Sequence, residues 1–328
     1  MLKGLLAVII TIQVSYSQTL IKGKVLSRPD KKPIAYANIG ILNTGVGTIS
    51  NEDGVFSIKV LEQHLKDILL FSAIGYSRRS VPVQSITTDG LTILLEEQIT
   101  QLKEVTITSI KEKNKHFELG NSSCHGGVLE TDTTYAGASI ALLIKNENPH
   151  LEELVFPVYL EQARIRIYRN NLTSFKLRIR IYSVDSLTKQ PGEDLLDKSV
   201  VLESSMKTGW LEFDLSPYRF LVSKPFFIAF ERILTQSDRN TIMNAYQKFA
   251  RDDPDKIEID TVLFEGKKIV REVFVRDGID LPGTFIGIAT SERARHQYSC
   301  YTRKTSFGKW EKVRGILSAT VTLSNRLD

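Results

Sequence analysis

The residues best suited to metal chemistry lie in the stretch His150-Leu151-Glu152-Glu153, where two positions separate a histidine from a glutamate. Such a pair can supply two zinc ligands, and a distant histidine, here His296, can supply the third. The pattern makes zinc-assisted hydrolysis one candidate chemistry. A four-letter motif arises easily by chance, however. Because His150 follows Asn148-Pro149, we expect it to be a solvated loop residue.

Other catalytic patterns do not complete a site. The sequence contains no H-E-x-x-H, no G-x-S-x-G and no G-x-x-x-x-G-K motif. The turn Asn51-Glu52-Asp53-Gly54 lacks the ligand set of a calcium loop and predicts a hairpin turn. Glu152 and Glu153 would point to opposite faces of a strand, so they cannot face one glycosidic bond. We therefore predict a chain that is not an enzyme and holds no cofactor.

Two segments concentrate cations in a strand pattern, Ala163 to Tyr168 and Lys176 to Tyr182. Alternation directs one set inward, namely Ile165, Ile167, Leu177, Ile179 and Ile181. It leaves a second set on one outer face, namely Arg164, Arg166, Lys176, Arg178 and Arg180. The polar loop Arg169 to Ser174 would join the strands as a hairpin. Opposed like charges are destabilising. Either neighbouring glutamates pair with this face, or it docks an anionic glycan, lipopolysaccharide phosphate or an acidic envelope protein.

Cysteines and aromatic residues offer further candidates. The chain has two cysteines, Cys124 and Cys300, which either form a disulfide or remain buried free thiols. Four aromatic residues would form a sugar-stacking platform if they were exposed together; otherwise they pack in the core or at sheet edges. They are Trp210, Tyr298, Tyr301 and Trp310.

The first residues predict export. Met1-Leu2-Lys3 is a short positive start, Leu5 to Val14 is an apolar core of roughly ten residues, and Ser15-Tyr16-Ser17 is a cleavage site. We expect residues 1–17 to be a signal peptide and the mature protein to begin at Gln18. A membrane-spanning helix needs about 20 apolar residues, so we expect none after cleavage. The slight basic excess, +5, is interspersed with acids, and nucleic acid is not expected as a partner.

From Thr19 to Glu97, short β-branched or aromatic runs recur between turn signals, which is typical of a small antiparallel sandwich. Four stretches resemble the carboxypeptidase-regulatory-like domain family, namely Gly23 to Val25, Pro33 to Asn38, Gly47 to Ile58 and Phe71 to Tyr76. The resemblance implies a seven-stranded transthyretin-like sandwich over residues 18–97. It also implies an exported protein of a Gram-negative bacterial envelope, in the periplasm, at the outer membrane or at the cell surface. Phe56 should anchor the core of this domain.

Residues 98–115 have two interpretations. Leu102 to Thr108 resembles the segment that joins this domain to the plug of outer-membrane transporters, but too few residues follow to form a barrel. Alternatively, Glu104 to Ser109 is one more edge strand of the first domain. The charged run Lys111 to Lys115 then marks the domain boundary.

Residues 116–328 are again rich in strand patterns, with one helical stretch at about Asp238 to Ala250. This spacing predicts a larger, jelly-roll-like β-sandwich with one helical insertion. In zinc carboxypeptidases the catalytic domain is α/β and normally precedes the regulatory domain, so this position and fold argue against such an enzyme. We expect a non-catalytic interaction or scaffold module of the envelope. A carbohydrate-binding module is the alternative, and a zinc carboxypeptidase-related hydrolase is the remote one.

Overall fold

The computed structural model is an all-β protein, as the sequence predicts. It describes residues 18–86, 90–98, 115–128, 137–145, 154, 156–234, 236–252, 254, 257–264, 267–274 and 283–325. The predicted signal peptide and nearly all of the segment 98–115 lie outside these residues.

The N-terminal domain packs two sheets around one apolar core. Its strands are β1 Gln18–Ser27, β2 Asn38–Ile41, β3 Gly47–Ile49, β4 Val55–Leu61, β5 Ile68–Ser72, β6 Arg79–Pro82 and β7 Leu91–Leu95. Strands β4, β1 and β7 form one sheet, and β3, β2, β5 and β6 form the other. Phe56 is 3% exposed and meets Phe71 edge-on with ring centroids 5.6 Å apart. Its predicted role as a core anchor is confirmed.

The C-terminal part contains the remaining strands and two helices. The first strands are β8 His116–Asn121, β9 Gly126–Val128, β10 Ser139–Ile144, β11 Val158–Asn170, β12 Phe175–Val184, β13 Pro191–Asp194, β14 Val200–Ser204, β15 Gly209–Asp214, β16 Phe220–Val222 and β17 Phe226–Ile233. The others are β18 Ile257–Phe264, β19 Lys267–Phe274, β20 Thr284–Ala289, β21 Cys300–Arg303, β22 Glu311–Lys312, β23 Ile316–Leu317 and β24 Ala319–Ser324. The helices are α1 Gln236–Asp252 and α2 Glu292–Gln297.

Two large sheets enclose the second core. The seven-stranded sheet runs β13-β12-β17-β10-β21-β22, with β14 beside β12. The eight-stranded sheet runs β23-β20-β11-β24-β8, with β15 and β16 on β11 and β9 on β20. Phe213 of the second sheet meets Phe230 of the first at 5.7 Å between ring centroids. The side chains predicted to point inward from β11 and β12 are all at most 1% exposed, namely Ile165, Ile167, Leu177, Ile179 and Ile181.

The predicted hairpin between β11 and β12 is wrong, because the two strands belong to opposite sheets. The loop between them crosses from one sheet to the other. Asn170 shapes the crossing: its side-chain amide donates to the carbonyl of Leu172, and its Oδ1 accepts from the Leu172 amide, each at 3.1 Å. Leu172 is buried at 4% exposure. Each strand therefore directs its apolar side chains into the shared core from its own side.

Helix α1 confirms the predicted helical stretch, whereas α2 was not predicted. Ser291 caps α2 by accepting a hydrogen bond from the Ala294 amide at 3.3 Å. Strands β18 and β19 pair as a separate antiparallel hairpin. Within the part of the chain that the structure describes, no helix combines the length and the apolar character needed to cross a membrane.

Candidate functional site

The five predicted cations do not form one face, because β11 and β12 lie in different sheets. Arg164 and Arg166 lie on the eight-stranded sheet, and Lys176, Arg178 and Arg180 on the seven-stranded sheet. Arg178 is 2% exposed and Arg180 is 6% exposed. The prediction of a single exposed cationic face is therefore wrong, and its two halves have different environments.

Glu231 pairs with the two buried arginines. It lies on β17 opposite Arg178 in the strand register. Phe226, Ile228 and Phe230 of this strand belong to the core between the sheets, so alternation directs Glu231 to the other face. One carboxylate oxygen accepts from Arg178 Nε at 3.0 Å and from Arg180 Nε at 3.1 Å. The other lies 2.9 Å from Arg178 Nη2. The predicted alternative of cations paired internally with a glutamate applies to this half.

The N-terminal domain covers this charged group. Arg178 Nη1 donates to the backbone carbonyl of Tyr36 at 2.6 Å, and Arg178 Nη2 donates to Asn38 Oδ1 at 2.6 Å. Ser306 Oγ donates to the second oxygen of Glu231 at 2.7 Å and lies 3.0 Å from Asn38 Oδ1. We call Arg178, Arg180, Glu231, Asn38 and Ser306 the interdomain cluster. Arg178 and Ser306 each contact both Asn38 of the N-terminal domain and the carboxylate of Glu231.

Further contacts surround the interdomain cluster. Lys176 Nζ lies 3.0 Å from Glu52, whose carboxylate also accepts from the Tyr36 hydroxyl at 2.6 Å. The Asn43 amide donates to the carbonyl of Phe307 at 2.8 Å. The turn predicted at Asn51 to Gly54 therefore supplies a partner for Lys176. These contacts extend the interface beyond the buried arginines.

The ionisation of these groups follows from burial and pairing. Burial alone would raise the pKa of Glu231, but the adjacent Arg178 and Arg180 outweigh burial and lower it to about 2. Burial and the hydrogen bond to Glu52 raise the pKa of Tyr36 to about 12. Asp194, 2.7 Å from Arg180, has a raised pKa because burial outweighs its attraction to that arginine. Glu231 therefore keeps its negative charge although it is buried.

The four predicted aromatic contacts lie in three places. Tyr301 and Trp310 share a cluster on the seven-stranded sheet, where Tyr301 meets Phe227 with ring centroids 5.6 Å apart. Tyr298 packs against the core and donates its hydroxyl to the Gly120 carbonyl at 2.7 Å. Trp210 lies on the eight-stranded sheet. The four residues do not form one platform, and the alternative of core or sheet-edge packing applies to Tyr298, Tyr301 and Trp310.

The structure contains both cysteines as free thiols, so the predicted disulfide is not formed. Cys300 is 0% exposed in the core between the two sheets, and burial raises its pKa to about 12. A Cβ placed on Gly287 would lie 3.0 Å from Cys124 Sγ and 2.8 Å from the side chain of Arg166. Cys124 therefore lies on the same side of the sheet as Arg166. Arg166 points away from the core, so the two thiols lie on opposite sides of the eight-stranded sheet.

Of the proposed zinc ligands, His296 alone lies among the described residues. His150, Glu152 and Glu153 lie outside the described residues, and His296 is an exposed residue of α2. Among the described residues there is no group of three or more histidine, cysteine or acidic side chains placed to hold a metal ion.

Sequence reasoning missed Glu231, Asn38, Ser306 and Asp194. The signal for Glu231 was an acid placed directly after the apolar run Phe226 to Phe230, at a position that shares one strand face with Phe227 and Ala229. A charge that continues such a run needs a partner if it is buried. Asn38 and Ser306 have no comparable signal, because only domain docking brings them together.

These observations define a two-domain, all-β protein whose N-terminal sandwich docks on the outer face of a larger sandwich. Residues 21–107 match the family model described as CarboxypepD_reg-like domain, which confirms the family resemblance predicted from the sequence. The match extends past residue 97, the predicted end of the domain.

No curated protein matches the chain. A solved structure titled "Structure of infectious bursal disease virus Gx strain" aligns with 95% of this chain at 7% identity and a TM-score of 0.24. The present chain spans 61% of that chain.

Proposed function

We propose that the protein is a non-catalytic interaction module of the bacterial cell envelope, whose two domains act as one rigid body. The observation that carries this proposal is the interdomain cluster. Its strongly perturbed carboxylate, Glu231, is 0% exposed and fully engaged by Arg178, Arg180 and Ser306. A group held in this way orients the domains and has no contact with a solvent-borne substrate.

Burying charge in a protein has a free-energy cost. Removing ions from water costs several kcal/mol each, and the cost is offset only where geometry and hydrogen bonding are good. Here those bonds cross between domains, which fixes how the N-terminal sandwich sits on the seven-stranded sheet. The matched regulatory domain supports this role because it is itself non-catalytic.

Export and binding are tested on the full chain expressed in a Gram-negative host. We expect the mature protein to begin at Gln18 and to fractionate with the envelope. Purified protein should also be retained on outer-membrane vesicles. A protein that still begins at Met1 and stays in the cytoplasmic fraction, or one that vesicles do not retain, contradicts the proposal.

A further inference from the structure

The eight-stranded sheet presents a polar outer face away from the N-terminal domain. This outer face is formed by alternate residues of β15, β11, β24 and β8, which the strand register sets side by side. Its members are Trp210, Glu212, Asp214, Gln162, Arg164, Arg166, Thr320, Thr322 and Glu118. Glu118 and Glu212 keep 51% and 54% of their side chains exposed. These two glutamates are accessible to a ligand, whereas Thr320 of the same face is 3% exposed.

A surface pocket of about 510 Å³ lies at one end of this face. Six of its seven lining residues carry polar or charged side chains, namely Glu161, Gln162, Asp214, Ser216, Arg219 and Thr322. Hydroxyl, amide, carboxylate and guanidinium groups together offer both donors and acceptors. This mixture suits a ligand that itself carries many groups able to donate and accept hydrogen bonds.

The charges on and beside the face nearly cancel. Three cations, Arg164, Arg166 and Arg219, stand against four acids, Glu118, Glu161, Glu212 and Asp214. Arg164 pairs with Glu118 and lies 3.9 Å from Glu212. Because this arginine is already neutralised and the surroundings are slightly acidic, a phosphate or an acidic glycan gains little here. The balance favours an uncharged ligand and replaces the predicted anionic partner.

An aromatic ring completes the face. The guanidinium of Arg164 lies over one face of the Trp210 ring, with Cζ 5.5 Å from the ring centroid, so a sugar stacks on the opposite face of the ring. Three residues of extended strand separate Trp210 from Asp214 at the pocket, so the four residue steps span about 13 Å. The flat, apolar C–H faces of sugar rings stack on indole, and their hydroxyls bond to side chains such as those in the pocket. A short run of sugar units can therefore contact Trp210 and the pocket at the same time.

We propose that this outer face binds a neutral polysaccharide, with Trp210 stacking on one sugar and the pocket around Gln162 and Asp214 bonding the hydroxyls of another. The proposal rests on the interaction role proposed above and names the ligand class. It differs from that role in requiring only the outer face of the eight-stranded sheet.

The test is affinity electrophoresis and titration calorimetry of the full chain with soluble neutral polysaccharides, namely dextran, pullulan, laminarin, xyloglucan and galactomannan. Alginate serves as an anionic comparison. We expect at least one neutral polymer to bind with little dependence on salt, because no counterions are released. Trp210→Ala should weaken binding at least tenfold and Trp210→Phe should retain most of it. Gln162→Ala should weaken it with no change in fold.

Leu187→Ala is the matched surface control, since Leu187 is 89% exposed in the loop between β12 and β13. Its binding should equal that of the parent. The inference is overturned if no neutral polymer binds, if Trp210→Ala binds as well as the parent, or if only alginate binds with strong salt dependence. Parallel retention on outer-membrane vesicles separates the two proposals: retention without polysaccharide binding removes the glycan inference alone, and absence of both removes both.

Discussion

Replacing Arg178 by methionine should destabilise the protein far more than the same change at Arg164. Both arginines stand on outer strand faces, and the sequence assigns them to one surface. In the structure Arg178 is 2% exposed, whereas the side chain of Arg164 is 28% exposed. The pair of variants therefore compares the same substitution in a buried cluster and in a solvated ion pair.

The expected magnitude follows from the bonds that are lost. Arg178→Met removes hydrogen bonds to Glu231, to the Tyr36 carbonyl and to Asn38. Breaking a buried ion pair by removing one partner costs about 3–5 kcal/mol. Methionine fills much of the vacated volume, so the cost arises mainly from unpaired polar groups. Arg164→Met breaks an exposed pair, which is worth about 0–1 kcal/mol.

Urea unfolding, followed by circular dichroism and by tryptophan fluorescence, measures both variants. Docked domains should unfold together in the parent and in Arg164→Met. Arg178→Met should shift the midpoint strongly and separate the two probes, because an undocked N-terminal domain unfolds by itself. Limited proteolysis between the domains should increase in the same variant. If Arg178→Met costs no more than Arg164→Met and unfolds in one transition, the interdomain cluster does not join the domains.

Three further predictions concern the same architecture. The pKa of Glu231 falls from 4.5 to about 2 on folding because Arg178 and Arg180 outweigh its burial. This shift adds roughly 3 kcal/mol to the free energy of unfolding above pH 4.5, and the gain is lost as pH falls toward 2. Urea titrations across that range should therefore show a flatter pH dependence for Glu231→Gln, and an unchanged slope contradicts this assignment. Iodoacetamide should label Cys124 but not Cys300 in native protein, and both after unfolding; rapid native labelling of Cys300 is the contrary result. Gly47→Val should loosen docking by about 1–3 kcal/mol in urea, since a Cβ there lies 2.7 Å from the Thr305 side chain; Gly126→Val, where a Cβ meets nothing within 4 Å, is its control.

Local patterns predicted much of the fold. Period-two alternation correctly identified the inward side chains of β11 and β12, because each strand sends successive side chains to opposite faces whatever its partners are. The turn Asn51 to Gly54 and helix α1 were also local signals. The family match at residues 21–107 agrees with the motifs read from Pro33 to Tyr76.

The candidate sites depended on contacts that local patterns do not encode. Alternation places Arg178 and Arg166 on outer faces equally well, but it does not say which sheet each strand joins. The short loop between β11 and β12 suggested a hairpin. In the structure this loop instead crosses from one sheet to the other and buries Leu172. This single topological choice separated the five cations into two groups.

Local patterns in the sequence were sufficient to predict the inward apolar side chains of β11 and β12, the N-terminal domain family and the all-β class, because these depend on neighbours within a few residues. Local patterns did not predict that Arg178 would hydrogen-bond to Glu231, 53 positions away, and to Asn38, 140 positions away. Such pairings exist only once both sheets and the docked domain are in place. The same packing leaves Trp210 and Arg164 on the outer face of the eight-stranded sheet, away from the docked N-terminal domain.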